Sequence, residues 1–245
     1  HVLSEREHDP LSEFRRVNVE GTLSLARQAA KRGAKRFVFI STVGVLGNKS
    51  TRPFTESDPP DPVEPYAVSK LEAEIGLRRL ADETGLELVI CRPPLVYGPF
   101  APGNFARLFR LIDRGVPLPL GAVRNRRSLV AVDNLVDLIL TCLDHPAAAS
   151  KTFLVSDGHD LSTPELIRRL AEAMGRPARL FPVPPGLLRL TGCLTGHSVE
   201  VKRLIDSLQV DIGYTCGTLN WRPSVPAAEA LRRTVPAPGG QGDLL

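Results

Sequence analysis

The sequence predicts an α/β fold in which a parallel sheet is wound on both faces by helices. Two patterns carry that expectation. Short apolar runs rich in β-branched and aromatic residues stand at 36–41 and 86–91, and each follows a helical segment that stops at a glycine, Gly33 or Gly85. Runs without polar alternation suit strands covered on both faces, and strands separated by whole helices pair in parallel. An antiparallel α+β domain would need alternating strands, which the sequence lacks.

The elements can be taken in order. Asp9-Pro10 is an N-cap followed by proline at the first helical position, and Leu11, Phe14, Val17, Leu23 and Leu25 carry a helix towards Gly33. The strand 36–41 follows, predicted to be buried on both faces. A polar loop spans 47–64, then a helix runs over 66–84 and a strand over 86–91. Residues 93–103, rich in Pro and Gly, read as loop before a helix over 105–115. A strand over 129–132 leads to Asp133, read as the cap of a helix reaching His145. After a strand over 152–155, Ser162-Thr163-Pro164-Glu165 is a capping-box signal for a helix ending near Gly175. Pro182, Pro184 and Pro185 break the rest into short pieces, and the 186–190 stretch is expected to be a short buried helix rather than a membrane contact. Residues 236–245 are expected to be disordered.

Composition excludes several classes. The chain has 245 residues, 42% hydrophobic and 24% charged, as a globular protein does. Its net charge of +4 comes from scattered Lys and Arg without a basic run interleaved with aromatics, so no nucleic-acid partner is expected. Cys91, Cys142, Cys193 and Cys216 form no C-x-x-C pair and no metal-ligand spacing with histidine, which predicts free thiols, no metal and a reducing compartment, the cytoplasm. No apolar run approaches the roughly 18 residues of a membrane span.

The chemistry begins with Tyr66 and Lys70, four residues apart at the start of a helix and therefore on one face. A phenol needs about 4 kcal/mol of help to ionise near neutral pH, which a nearby ammonium and a nicotinamide cation could supply. The phenolate could then take a proton from a sugar hydroxyl while the carbon beneath gives hydride to NAD. The spacing alone is weak, because any exposed helix can carry it. Thr42 strengthens it: it ends a strand, where sheets of this type hold their ligands, and its hydroxyl could bond the same sugar oxygen. It could equally be closing the strand's own backbone bonds.

Five ordered segments, Asn18-Val19-Glu20-Gly21-Thr22, Ser41-Thr42 ahead of Gly47, Tyr66-Ala67-Val68-Ser69-Lys70, Arg92-Pro93-Pro94-Leu95-Val96-Tyr97-Gly98-Pro99, and Arg127 ahead of Asp133, resemble the extended short-chain dehydrogenase/reductases, the NAD-dependent epimerase/dehydratase family. The resemblance implies a Rossmann-like sheet in residues 1–98 carrying the catalytic residues. It implies a smaller C-terminal α+β substrate lobe in 99–235, with some segments returning to the sheet. Thr42, Tyr66 and Lys70 would be the catalytic set. Ser41, Tyr66, Lys70 and Pro93, Pro94, Leu95 and Val96 would meet the cofactor, NAD or NADP, and Thr42, Asn104 and Arg127 the nucleotide-sugar substrate, with Arg127 on its diphosphate.

The function implied is a nucleotide-sugar 4-epimerase, acting on a UDP-hexose through a transient 4-keto sugar. A 4-ketosugar reductase or a non-catalytic nicotinamide-binding relative are the alternatives. Val43-Gly44 stand where a dehydratase would carry an acid pair, which lowers that option. Homodimerisation is implied through the helices 10–32 and 66–84, with Leu71, Ile75 and Leu77 offered as contacts. Three departures are visible: Leu46 for tyrosine, Asn134 for an acid, and Asn220 for glycine. The glycine-rich phosphate turn of the first βαβ unit is not in the sequence, which reads as an N-terminally incomplete sheet.

Overall fold

The computed structural model describes residues 9–99, 101 and 103–235, with the side chain of Asn104 outside that set. The expected disordered tail, 236–245, also lies outside the described residues. The chain opens with helix α1 (Pro10–Phe14), where Asp9 accepts a hydrogen bond from the Ser12 N–H at 3.2 Å, as its N-cap role requires. A π-helical segment, Arg15–Gly21, carries it into α2 (Thr22–Lys31), and Gly33 turns the chain out at a φ of 80°. Strand β1 (Arg36–Ile40) is followed by a 3₁₀ turn, Val43–Val45, and by α3 (Pro65–Thr84), which ends on Gly85 at a φ of 72°. Strand β2 (Glu87–Arg92) comes next.

The second half contains β3 (Leu95–Tyr97), α4 (Asn104–Asp113), β4 (Leu129–Ala131), α5 (Val132–Asp144) and β5 (Thr152–Leu154). Four helices and their loops follow α6 (Thr163–Ala173): α7 (Pro185–Leu194), α8 (Ser198–Ile205), α9 (Gly213–Leu219) and α10 (Ala227–Thr234). The capping box at Ser162 and Glu165 is formed in both directions.

The main sheet runs β1-β2-β5, all parallel, with Arg36 opposite Glu87 and Ile90 opposite Thr152. Strand β2 shows why the fold is doubly wound. Its Leu88 and Ile90 pack with Phe39, Ala73, Leu77 and Leu80 under α2 and α3, while Val89 and Cys91 pack with Leu138, Cys142 and Phe153 under α5. The two-residue side-chain period sends alternate residues into two cores, so the run has to be apolar throughout. Helix α3 comes close to α2 because residue 76 is glycine: a Cβ there would lie 2.9 Å from the Leu23 methyls. Arg36 joins the layers at the opposite end, pairing with Glu87 at 2.6 Å and donating to the last carbonyls of α5 at Cys142 and Leu143.

Strand β1 is covered on both faces, Phe37 and Phe39 packing under α2 and α3 and Val38 and Ile40 under α5, but it is a sheet edge in the described chain and only Phe39 is fully buried in it. The structure corrects three expectations. Residues 95–97, read as loop, form β3 beside β4, because the Pro-rich entry hides a run too short for periodicity to reveal. Asp133 is not a cap: α5 starts one residue earlier, its N-cap Ala131 has no side-chain bond, and Asp133 lies beside Arg233 at 3.3 Å. Leu77 offers nothing to a partner, being buried in the α3 core, and Leu71 packs against the cluster around Val45; Ile75 remains exposed, with Val17 and Leu25.

A polar network joins the second layer to the first. Tyr97 donates to Asp157 at 2.7 Å, and the other carboxylate oxygen of Asp157 accepts from the Ala131 N–H at 2.9 Å and from the Asn134 amide at 2.7 Å. Asn134, fully buried, also exchanges hydrogen bonds with both backbone groups of Val225. An amide can donate to Asp157 and accept from Val225 at once, which the acid expected there could not do when ionised. Replacing Asn134 with leucine should strand these partners and lower the unfolding free energy by about 2–4 kcal/mol. Urea denaturation with an unchanged m-value checks this.

Candidate active site

The C-terminal ends of β1 and β2 lie side by side and shape the site. The Ser41 N–H donates to the Cys91 carbonyl at 2.7 Å and the Val43 N–H to the Pro93 carbonyl at 2.9 Å, so the two chains stay paired past the strand ends. Between these bonds sits Thr42, in extended conformation, with its Oγ1 accepting from the Gly44 N–H at 3.1 Å. That bond occupies a lone pair of the hydroxyl and leaves its proton for a ligand oxygen. Gly44 brings the turn against α3: a Cβ there would lie 3.4 Å from both Thr42 Oγ1 and the Cβ of Ala67, the residue after Tyr66.

Tyr66 stands in the first turn of α3, just after Pro65, and its ring meets the edge of Phe14 at 5.6 Å between centroids. Burial pushes its phenol above the ordinary tyrosine value. Lys70, one turn on, holds its ammonium 4.1 Å over the Phe39 ring. Burial lowers its pKa to about 8, against an opposing pull from Glu74. Among the described residues Lys70 enters no ion pair, so a half-buried cation with three N–H donors is held by an aromatic face. The helix is tied to its neighbour by Ser69, which accepts from Asn18 at 3.0 Å and donates to the Tyr66 carbonyl at 2.8 Å. Asn18 lies in the π-helical segment, where the extra residue in the turn alters which side chains face α3.

Behind these residues lies a group that sequence reasoning missed. Glu74 is 1% exposed, and its carboxylate receives Arg92 Nε at 3.0 Å, Arg92 Nη2 at 2.6 Å and the Ser41 hydroxyl at 2.5 Å. Ser41, expected to meet a cofactor, is buried, and its hydroxyl proton is committed to Glu74. The available signal was the spacing Tyr66, Lys70, Glu74, which continues one helix face by a further turn into the core. The Pro93 carbonyl is likewise committed to Val43, while Pro94 is buried, Leu95 is 40% exposed and Val96 packs into the core under α5.

Helix α8 reaches the start of α3. Arg203 makes a two-point contact with Glu64, two residues before Tyr66, at 2.7 and 3.2 Å. Arg127 is half-buried and donates through Nη1 to the Arg203 and Asp206 carbonyls at 2.8 and 3.1 Å, and burial lowers its pKa. It therefore braces the start of the Arg203–Glu64 link. Asn104 is the first residue of α4, and its side chain lies outside the described residues.

Comparison with known proteins sets this geometry in context. Residues 4–156 match the NAD dependent epimerase/dehydratase family. The chain is 48% identical over 240 residues to UDP-glucose 4-epimerase of Vibrio cholerae, covering 97% of this chain and 73% of that protein. It is 31% identical to the N-acetyl-alpha-D-glucosaminyl-diphospho-ditrans,octacis-undecaprenol 4-epimerase of Escherichia coli O157:H7, over 86% of this chain and 69% of that one. The crystal structure of UDP-glucose 4-epimerase from Thermotoga maritima with UDP-glucose superposes with a TM-score of 0.73 at 25% identity, covering 91% of this chain and 70% of that chain.

Two measurements probe the site. Removing one partner of a buried ion pair leaves a lone charge, so Glu74→Gln should lower stability by about 3–5 kcal/mol, and Glu74→Leu with Arg92→Met should recover much of that loss; thermal and urea unfolding of the three proteins measure it. Lys70 binds its proton less tightly folded than unfolded, so its contribution is full above about pH 10.5 and is lost as pH falls towards about 8. The unfolding free energy of the wild type relative to Lys70→Met should therefore rise between these limits.

Proposed function

The chain belongs to the NAD-dependent epimerase/dehydratase family, and from that premise we propose that it inverts C4 of a nucleotide-linked hexose, with a UDP-hexose as substrate. The observation that carries the reading is the packing of the Thr42–Gly44 turn against α3 at Ala67, in the helix that bears Tyr66 and, one turn on, Lys70. The 48% identity to the Vibrio UDP-glucose 4-epimerase supports UDP as the carrier. The E. coli relative is named for the same inversion on a lipid-linked diphosphate sugar, which makes C4 inversion the common element.

A nicotinamide dinucleotide suits the residues present. Lys70 is a desolvated donor whose nearest described partner is the Phe39 ring, and ribose hydroxyls would give it acceptors. NAD, when bound, supplies a hydride acceptor and returns the same hydride. Lys70 and Tyr66 would hold it from one side, and the Pro93–Val96 segment from the other.

Tyr66 receives the proton of the C4 hydroxyl as that carbon loses hydride, and the C4–O bond becomes a ketone. Burial holds the Tyr66 phenol high, and cations beside it, Lys70 protonated and the nicotinamide ring, would favour the phenolate. Thr42 donates to the same oxygen and holds it as charge develops. With hydride returned to the opposite face, Tyr66 gives the proton back, and atoms and electrons balance. Arg127 is the cation assigned to the diphosphate, and Asn104 a further substrate contact. In this reading residues 1–98 carry cofactor and catalysis and 99–235 mainly the substrate lobe. Exposed Val17, Leu25 and Ile75 would pair two copies in a homodimer, and the free cysteines fit a cytoplasmic setting.

The test is turnover of UDP-glucose and UDP-galactose with added NAD. Tyr66→Phe should lower kcat by about 10²–10⁴-fold and Thr42→Ala by about 10²-fold with KM little changed. Deuterium placed at C4 should remain at C4 of the product. Stoichiometric consumption of NADPH with a 4-keto sugar would replace the epimerase by a reductase.

A further inference from the structure

Helix α7 was expected to be buried, and the structure turns most of it outward. Its inner side is narrow, Leu188 and Gly192, and Gly192 explains the orientation: a Cβ there would lie 2.8 Å from Val201 Cγ2 of α8. The His197 N–H donates to the Gly192 carbonyl at 2.8 Å and closes the hairpin between α7 and α8. With the rotation of α7 set this way, Leu187, Leu190 and Leu194 fall within about 60° of one another on the outer side. They are 51%, 56% and 78% exposed. Phe181, just upstream, and Val199, at the start of α8, are exposed as well. Contiguous exposed apolar surface on a well-packed element marks a contact site.

The charge around the stripe identifies the partner. Residues 176–205 contain five basic side chains, Arg176, Arg179, Arg189, Lys202 and Arg203, and one acidic, Glu200. At the foot of α7 a cavity of about 330 Å³ is lined by Pro185 and Arg189 together with Lys49, Arg124 and Asp206. Arg176, Arg189 and Arg203 are paired with Asp113, Asp206 and Glu64, but exposed Lys49, Arg124, Arg179 and Lys202 enter no ion pair among the described residues. A second copy placed on this face would oppose like charges.

We propose that the α7–α8 hairpin docks the protein on an anionic lipid bilayer, with the leucine stripe lying in the interface and the surrounding cations meeting lipid phosphates. No helix among the described residues is long and apolar enough to cross a membrane. Helix α7, about 15 Å long, lies along the surface.

Co-sedimentation of the full chain with phosphatidylglycerol-rich vesicles tests this. Binding should weaken with salt and be absent on pure phosphatidylcholine. Leu190→Ser with Leu194→Ser should lower the partition coefficient about 100-fold, and Lys202→Gln about fivefold. Glu200→Gln should raise it about fivefold, a gain that a folding defect cannot mimic. A fluorophore on exposed Cys193 should shift to the blue with anionic vesicles only. Failure to sediment at low ionic strength, or equal sedimentation of wild type and double variant, would overturn the proposal. So would a lipid-free dimer in sedimentation velocity that the double variant abolishes.

Discussion

The buried contact between Glu74, Arg92 and Ser41 is the constraint on which the rest of the site depends. A carboxylate and a guanidinium out of water are tolerable only as a fully bonded pair, because each alone would carry a desolvation cost of several kcal/mol. Glu74 belongs to α3, Arg92 ends β2, and Ser41 follows β1, so satisfying one carboxylate locks three elements into register. Every group assigned to chemistry sits close to that lock. Thr42 follows Ser41, Pro93 follows Arg92, and Lys70 is one helical turn from Glu74. The pair acts less by adding stability than by admitting only one arrangement of α3 against the strand ends.

The same burial leaves the site electrostatically open. Burial pushes both groups towards their neutral forms, the phenol upward and the ammonium down to about 8 against the pull of Glu74. A bound cationic ring would favour the charged phenolate. Cofactor and acid–base chemistry are thereby coupled: the protein prepares the positions, and the bound group restores the charges. The Phe39 face under Lys70 fits that division of labour, since an aromatic ring holds a cation without neutralising it.

The later part of the chain is tied to the earlier by polar contacts as well as by the apolar cluster in which Val43, Val45 and Leu46 meet Leu208 and Val210. Tyr97, Asp157 and Asn134 join β3, β4 and α5 to the loop before α10, while Glu64 and Arg203 join α8 to the start of α3. The departures from the family pattern fall into place here. Asn134 needs both ends of an amide. Asn220 closes α9 in the left-handed region at a φ of 47°, which asparagine adopts more readily than other non-glycine residues. Leu46 fills the apolar cluster with Val43, Val45, Leu154 and Val210.

What the sequence determined by itself is local. The helical stretches 10–32 and 66–84 were legible because each ends on a left-handed glycine, Gly33 or Gly85, and the first also opens on the Asp9 cap. Strand β2 was legible because burial on both faces forces an unbroken apolar run. The Tyr66–Lys70 pair was legible because four residues on a helix share a face. Tertiary structure decided everything that depends on a partner distant in the chain. Leu95–Tyr97 become a strand only beside β4, Asp133 loses its capping role because α5 starts earlier, and Ser41 turns inward because Glu74, 33 residues away, needs a third donor. Helix α7 shows its leucines because Gly192 has to meet Val201. Periodicity records how a segment is amphipathic, but which face is covered is a property of the neighbours, and those are chosen only when the chain packs.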